Sequence, residues 1–421
     1  MRPDTVPAGA PQTLVVGGGH RFVSALHGHL PDRSVLVVEH PQLLRDRAAR
    51  DRLSRIPVVA GLVESAGVYG RDPRRVLDQL PVGSIRRVLP STDEQSVVAA
   101  ATLAAALGLP GAGVAAAEIF ADKLLLRRTA AAAGLANPRW YEVRDQAEFA
   151  ARAGEFADRG FVLKPSARSG SQGVLRLDRS DDLAAAWAQC TTSRGRLRIE
   201  PPPPTGYLIE ERLYGPEVSV ECLARDGAVG FSNITAKHVL PGRHPVEIGH
   251  VLPARLDAAV SRRLVAAMRV LVAATGFGSG VLHGEWILVD DWPVLVECAA
   301  RHPGDRITNL ISRAYGVPFV AACADVLSAE HVAGPAVAKR AAAVRFLTPE
   351  PGIVATIDGI DAARAAPGVY DVSVEVAVDD VVEVPRASSD RAGCVQVVGP
   401  DADTAWRRAT AAADLIKVST R

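Results

Sequence analysis

The stretch GEWILVDDWPVLVE, residues 284–297, constrains the fold of this chain most, because two apolar runs flank an Asp-Asp-Trp turn. That pattern predicts a β-hairpin. With the turn centred on Asp291, paired residues have numbers summing to about 582, which sets Glu285 opposite Glu297. Directly opposed side chains stand about 4.5–5.5 Å apart at Cβ, and two like charges there destabilise a sheet. A cation between them removes the objection. Two hard carboxylate ligands make Mg²⁺ the natural choice, with waters and nucleotide phosphates completing its octahedron. The competing reading is an exposed hairpin edge whose glutamates tip apart into water, and a one-residue slip of register would undo the pairing.

At 421 residues the chain exceeds one ordinary core, so two to four domains are expected. Apolar residues make up 48%, yet no run of about 18 apolar residues occurs and the start MRPDTVPAGAPQ lacks a basic region before an apolar core. A soluble, unexported protein of the cytoplasm is the expectation. The 48 basic and 47 acidic residues give a formal charge of +1, which offers nucleic acid or acidic membrane no attraction and points to small-molecule partners. The five cysteines lack CxxC spacing, which argues against a zinc cluster or a disulfide framework.

TLVVGGG (13–19) and SVLVVEH (34–40) read as buried parallel strands, so the chain begins as an α/β unit. The three glycines do not make GxGxxG, and a structural turn is the reading they favour. RRVLPSTDEQSVVAAATLAAALGLPG (86–111) predicts a strand, a polar loop and an alanine-rich helix, with Ser91 to Glu94 as its cap and Asp93 and Glu94 as weaker substrate candidates. A helix is expected from 121, a second over 144–158, and strands near 139–143 and 160–164. The proline run Pro201 to Pro204 marks a connector. Asp257 to Thr275 is an amphipathic helix with Gly276 as its C-cap. Beyond AEHVAGPAVAKR, short alternating strands and a closing helix over 403–417 predict a small separate β-rich domain.

Three further stretches carry candidate chemistry. FVLKPSARSGSQGV (161–174) ends a strand in Lys164 and continues as a Gly/Ser loop whose bare N–H groups can fold over phosphate oxygens. YLIEERLYGPEVSVE (207–221) ends a strand in a hinge with Glu210 and Glu211, followed by Glu217. Backbone groups at such a hinge can bond an adenine edge, and a nearby carboxylate can accept from ribose hydroxyls. Solvated strand-end glutamates would explain the same residues singly. In VLVECAARHPGD (294–305), Arg301 follows Glu297 by four residues.

Taken together, Lys123 in FADK, Lys164 before its loop, the LIEE hinge with Glu217, and the Glu285/Glu297 pair resemble the ATP-grasp ligases over about 100–330. The segment NITAKHVLPGRHPVEIGHVLPA (233–254), with Lys237, Glu247, His250, Pro253 and Ala254, looks like the L-amino acid ligase branch, and the final segment is similar to that branch's small C-terminal domain. The resemblance implies an α/β (α+β) fold in four parts: a Rossmann-like pre-ATP-grasp domain over 1–120, a lid subdomain over 121–213, a catalytic subdomain with the metal site over 214–335, and an α+β C-terminal domain over 336–421.

It also implies a carboxylate–amine ligase that forms an amide or peptide bond through an acyl phosphate and releases ADP and phosphate. By that analogy Lys123 and Lys164 hold the α- and β-phosphates of ATP, Ser169, Gly170, Ser171 and Gly173 close as a lid, and Lys237 reaches the γ-phosphate. Glu210 and Glu217 mark the adenine hinge and ribose, with Glu211 and Leu213 beside them. Glu285 and Glu297 hold Mg²⁺, with Mn²⁺ as an alternative. Arg301 takes the substrate carboxylate or developing oxyanion, a match for a guanidinium fork. His250 and Glu247 orient phosphate or amine. The implied partners are a carboxylic acid and an amine, with a homodimer as the assembly seen in related enzymes.

One departure stands out: many ATP-grasp enzymes carry Glu-x-Asn where this chain has Glu297-Cys298-Ala299. Ala299 cannot ligate metal, and by the hairpin register it faces His283, an imidazole able to contact phosphate or substrate. A carboxylase or purine-pathway ATP-grasp enzyme is the alternative activity, although no AMKM-like biotin site occurs. A silent ATP-binding subunit is the alternative from another class.

Overall fold

The computed structural model describes residues 11–70, 72–156, 159–193, 199, 205–328 and 337–421. The chain opens with a parallel sheet ordered Val59–Glu64, Val35–Glu39, Thr13–Val16, Arg87–Pro90. Its strands read as unbroken apolar runs because both faces are covered. Leu14 and Val16 pack with Ala100 and Leu103 of the helix Glu94–Ala106, whereas Val15 packs with Phe22 and Leu26 of the helix His20–Leu26. Asp93 caps the longer helix by accepting from Ser96 N at 2.8 Å, as expected for the TDE sequence.

The single helix expected from 121 is the second of two. Helix Val114–Ala121 precedes it, and Asp122, in extended conformation, caps Lys123–Ala132 by accepting from Leu124 N at 2.7 Å. The helix expected over 144–158 runs Gln146–Ala153 and continues as a short 3₁₀ turn. A four-stranded antiparallel sheet follows in the order Trp140–Val143, Tyr207–Glu211, Phe161–Pro165, Leu175–Leu177. The predicted proline connector, Pro201 to Pro204, lies outside the described residues.

An eight-stranded sheet forms the centre, in the order Trp292–Ala299, Gly280–Val289, Glu217–Arg225, Ala228–Val239, Glu247–Leu252, Ala341–Leu347, Gly393–Gly399, Val369–Val374. Helix Ala258–Thr275 packs Leu264, Met268 and Leu271 against Trp286, Leu295 and Val220 of this sheet. Gly276 ends it at φ 66°, the left-handed C-cap that its position predicts.

The segment after 336, expected as a small separate β-rich domain, adds strands to the central sheet. Ala341–Leu347 pairs with Glu247–Leu252, so three strands of the last segment extend the central sheet. A short β-strand exposes unpaired N–H and C=O groups, and another strand satisfies them wherever it comes from in sequence. Helix Ala402–Leu415 closes over that extension.

Candidate functional site

The hairpin turns at Asp290 and Asp291, at φ 49° and 62°, and pairs Val289 with Trp292 and Trp286 with Leu295. One extra residue, Val296, then bulges from the ladder, after which Glu285 pairs with Glu297 and His283 with Ala299. The expected opposition is present, but the bulge creates it: continued without it, the register of the turn would set Glu285 opposite Val296. The bulged carbonyl is also used. Val296 O accepts from Arg127 Nη2 at 2.6 Å and from Lys164 Nζ at 3.5 Å.

Two lysines neutralise the opposed carboxylates. Lys123 Nζ lies 3.0 Å from Glu297 and donates to Arg168 O at 2.6 Å, just before the Gly/Ser loop. Lys237 Nζ lies 2.7 Å from Glu285, 2.9 Å from Glu217 and 3.3 Å from Glu247. Burial opposes its charge, but Glu217, Glu285 and Glu247 outweigh burial and hold the ammonium well above its ordinary value. Glu285 shows the converse: burial favours its protonated form, yet Lys237 and His283 keep it ionised well below the usual carboxylate range.

A second buried group lies beside this one. Glu210 accepts from Arg127 Nε at 2.7 Å and pairs with Lys164 Nζ at 2.7 Å, and Arg127 is completely buried. Burial lowers Lys164 to about 8, against the opposing pull of Glu210. The carboxylate expected to mark an adenine hinge is therefore committed to Arg127 and Lys164. Glu217, expected beside ribose, belongs with the acidic cluster around Lys237. Glu211 and Leu213 do line the cavity.

His283, expected to face Ala299, lines the cavity with both ring nitrogens beside carboxylates. Its Nδ1 lies 3.0 Å from Glu221 and its Nε2 3.0 Å from Glu285. Glu221, fully buried, also accepts from Ser219 Oγ at 2.6 Å, Asn233 Nδ2 at 2.7 Å and Thr235 Oγ1 at 2.7 Å. Burial works against the imidazolium, but the two carboxylates raise it to about 9. It orients Glu285 in the way an outer partner fixes a metal-ligand side chain.

Lys164, Glu210, Glu217, Lys237, Glu247, His283, Glu285 and Glu297 line one cavity of about 990 Å³, at the top of the range for a single ligand pocket. Of the residues expected to bind ATP, metal or the reacting groups only Lys123 and Gly173 do not, and Glu221 with its partners Ser219, Asn233 and Thr235 lies outside it. Lys123 stands behind Glu297. Over the cavity the Gly/Ser loop holds Gly170 and Ser171 at φ 64° and 61°. Ser171 Oγ donates to Pro245 O at 2.8 Å, and Ser388 N, from the last segment, donates to Gly170 O at 3.1 Å.

Arg301 also lines the cavity. Glu94 accepts from its Nε at 2.9 Å and its Nη2 at 2.6 Å. Glu94 thus does more than begin a helix. His250 Nε2 lies 3.2 Å from Asp305, which Arg391 also grips at 2.9 and 2.5 Å. Glu247 accepts from Ser388 Oγ at 2.9 Å. Arg127, Glu221, Asp305, Ser388 and Arg391 were not singled out from sequence. Arg127 lies four residues after Lys123 on one helix face, a spacing that was visible; Glu221 reaches the site on a strand, and Asp305, Ser388 and Arg391 reach it through turns and loops brought together by folding.

The donor set fits a divalent cation. Carboxylate oxygens of Glu217, Glu247 and Glu285 all lie within 4.8 Å of one another, and Glu297 stands opposite Glu285. Such an all-oxygen set suits Mg²⁺ or Mn²⁺.

Comparison with known proteins agrees with this architecture. The ATP-grasp domain model matches residues 158–309, and the L-amino acid ligase C-terminal domain 2 model matches residues 345–421. The chain thus carries an ATP-grasp domain, of the fold that builds ATP-dependent ligases. Its last segment, residues 345–421, is similar to the L-amino acid ligase C-terminal domain 2. An uncharacterized protein of Sinorhizobium fredii is 29% identical over 310 residues, 73% of this chain and 63% of that protein. Alanine–anticapsin ligase of Bacillus subtilis is 25% identical over 240 residues, 52% of this chain and 49% of that protein. The chain therefore spans between about half and two thirds of these relatives. The L-amino acid ligase from Bacillus licheniformis superposes with a TM-score of 0.76 at 20% identity, covering 98% of this chain and 99% of that one. Phosphoribosylglycinamide synthetase from Anaerococcus prevotii gives 0.69 at 14% identity, covering 98% and 100%. These likenesses show a shared fold. Among the described residues, no helix is long and apolar enough to cross a membrane.

Proposed function

We propose that the chain is an ATP-dependent carboxylate–amine ligase, joining an amino acid or similar acid to an amine through an acyl phosphate. The observation that carries this reading is the convergence on one cavity of Lys164, Lys237 and Arg301 with Glu297 and the three carboxylates Glu217, Glu247 and Glu285, which are grouped closely enough to hold a divalent cation. Two anionic reactants, ATP and a carboxylate, meet only where fixed positive charge offsets their repulsion. The likeness to an alanine–anticapsin ligase and an L-amino acid ligase supports an amino acid as one substrate.

Lys164 and Lys123 bind phosphate oxygens in this reading, and each exchanges a carboxylate partner for them. Lys237 serves the γ-phosphate. The substrate carboxylate attacks that phosphorus, ADP leaves, and the amine then displaces phosphate at the acyl carbon. Arg301, held by Glu94, neutralises the reacting carboxylate. His250, oriented by Asp305, faces the amine side and takes its proton. Glu285 and Glu297, with Glu217 and Glu247, would hold the divalent cation, which would supply charge neutralisation at phosphate oxygens.

Phosphate release measured over a panel of acids and amines tests the reading. Release is expected only when both components and a divalent cation are present, and Glu297→Ala is expected to abolish it. Turnover that depends on bicarbonate points to a carboxylase. ATP binding without release across the whole panel points to a silent subunit.

A further inference from the structure

Two guanidinium groups from distant parts of the chain converge on one carboxylate oxygen at the wall of the same cavity. Arg21 Nη2, from the helix His20–Leu26, donates to Glu375 Oε1 at 2.6 Å, and Arg306 Nη2 donates to the same oxygen at 3.2 Å. Arg306 also reaches Ser373 Oγ at 3.2 Å. The neighbouring arginines of the cavity are balanced one for one, Arg301 by Glu94 and Arg391 by Asp305. Arg21 and Arg306 share a single partner, so this corner keeps one positive charge in excess. The side chain of Arg306 is only 17% exposed, and water screens its share of that charge weakly.

The backbone here is unusual too. Asp305 and Arg306 are consecutive non-glycine residues at φ 54° and 65°, a conformation disfavoured for any residue with a Cβ. Arg391 and His250 pin Asp305, and Ser373 and Glu375 pin Arg306, so the strained turn is held where its side chains face the cavity. Strain of this kind gathers at ligand-binding positions. Each guanidinium offers five N–H donors, and among the described residues both are engaged with Glu375 through Nη2 alone. Nε and Nη1 of both remain as donors to a second anion, each through a single charge-assisted hydrogen bond.

We propose that Arg21, Arg306 and Glu375 form a subsite for an acidic group that a substrate carries in addition to the carboxylate being activated. That group is a carboxylate of either a dicarboxylic acid component or an amino acid serving as the amine. Glu375 shares the two guanidiniums with it and spaces them, so a neutral substrate leaves the excess charge unmatched. The proposal rests on the ligase reading above for the identity of the substrates, but the subsite has its own binding signature.

The test has two arms on the full chain. In the first, phosphate release is measured with ATP and Mg²⁺ for a monocarboxylic or a dicarboxylic acid, each combined with a simple amine or an amino acid. A pair carrying the extra carboxylate is expected to show kcat/KM at least about tenfold higher, and the two mixed combinations tell whether acid or amine carries it. Arg306→Ala and Arg21→Ala should each cut that preference about tenfold, with Arg306→Lys retaining part of it. Equal turnover of all four combinations, or an undiminished preference in both alanine variants, overturns the proposal. In the second arm, calorimetry compares glutarate with butyrate in the presence of a non-hydrolysable ATP analogue. Wild-type protein should favour glutarate by at least about tenfold, and Arg306→Ala should remove the difference. Should no combination release phosphate, the ligase reading fails while a glutarate preference dependent on Arg306 sustains the subsite. Absence of that preference removes the subsite whatever the turnover data show.

Discussion

Replacing Arg127 by methionine separates the electrostatic role of this buried residue from its packing. The methionine stem fills much of the same space without charge. In the native chain the guanidinium donates to Glu210 at 2.7 Å and Val296 O at 2.6 Å, with no solvent exposure. Its loss leaves Glu210 buried with Lys164 as sole cationic partner. Breaking a buried pair costs about 3–5 kcal/mol, and the surviving lysine places the expected loss at about 3 kcal/mol. That is a large part of an ordinary stability of about 5–15 kcal/mol. Glu210→Met should cost at least as much, because it strands two buried cations. The double variant is the informative one. It leaves only Lys164, which burial already lowers to about 8 and which then sheds its proton near neutrality. The combined loss should therefore fall short of the sum of the single losses by about 2 kcal/mol or more. Urea denaturation followed by circular dichroism measures all three. Losses that add within about 0.5 kcal/mol would refute a mutually dependent charge group. Nucleotide affinity provides a second readout: Arg127→Met removes a like charge from Lys164 and keeps it protonated, whereas the double variant loses that cation.

Three other outcomes are expected. His283 is raised to about 9 from 6.5, so its stabilisation is complete below about pH 6.5 and fades as pH rises through 9; the difference is worth roughly 3 kcal/mol. His283→Gln should flatten urea midpoints measured between pH 6 and 9.5 in metal-free buffer. Burial raises Asp93 to about 7 from 3.8, so its ionised form is penalised above pH 7. Asp93→Asn keeps the cap and should stabilise by about 1 kcal/mol or more at pH 8, with the gain gone below about pH 4. Glu94→Ala removes both bonds that orient Arg301 and should raise KM for the acid about tenfold while leaving KM for ATP; equal changes in both would place Glu94 elsewhere in the reaction.

Much of the site was legible because it depends on local order. A strand ending in Lys164, a Gly/Ser loop, and two apolar runs about a short turn specify their own geometry through hydrogen bonding of adjacent segments. The opposition of Glu285 and Glu297 was readable for that reason. The bulge at Val296 was not, since it follows from what Arg127 and Lys164 demand of a carbonyl 169 and 132 residues away in sequence. Gly249 is similar. It sits in the E-x-G-H run, and its need for no side chain comes from Trp406 and Val344 O, at 2.5 and 2.6 Å from where a Cβ would stand.

By itself the sequence determined the parallel opening sheet, the helix Ala258–Thr275 with its glycine cap, the hairpin and the lysines beside it, because period and turn chemistry act between near neighbours. The tertiary structure alone decided how charge is shared. It gave Glu210 to Lys164, Glu94 to Arg301, Asp305 to Arg391 and Glu375 to two arginines, and it joined the last segment to the central sheet. Ion pairs and sheet edges are satisfied by whatever group folding brings within reach, and the order of residues along the chain does not specify that distance.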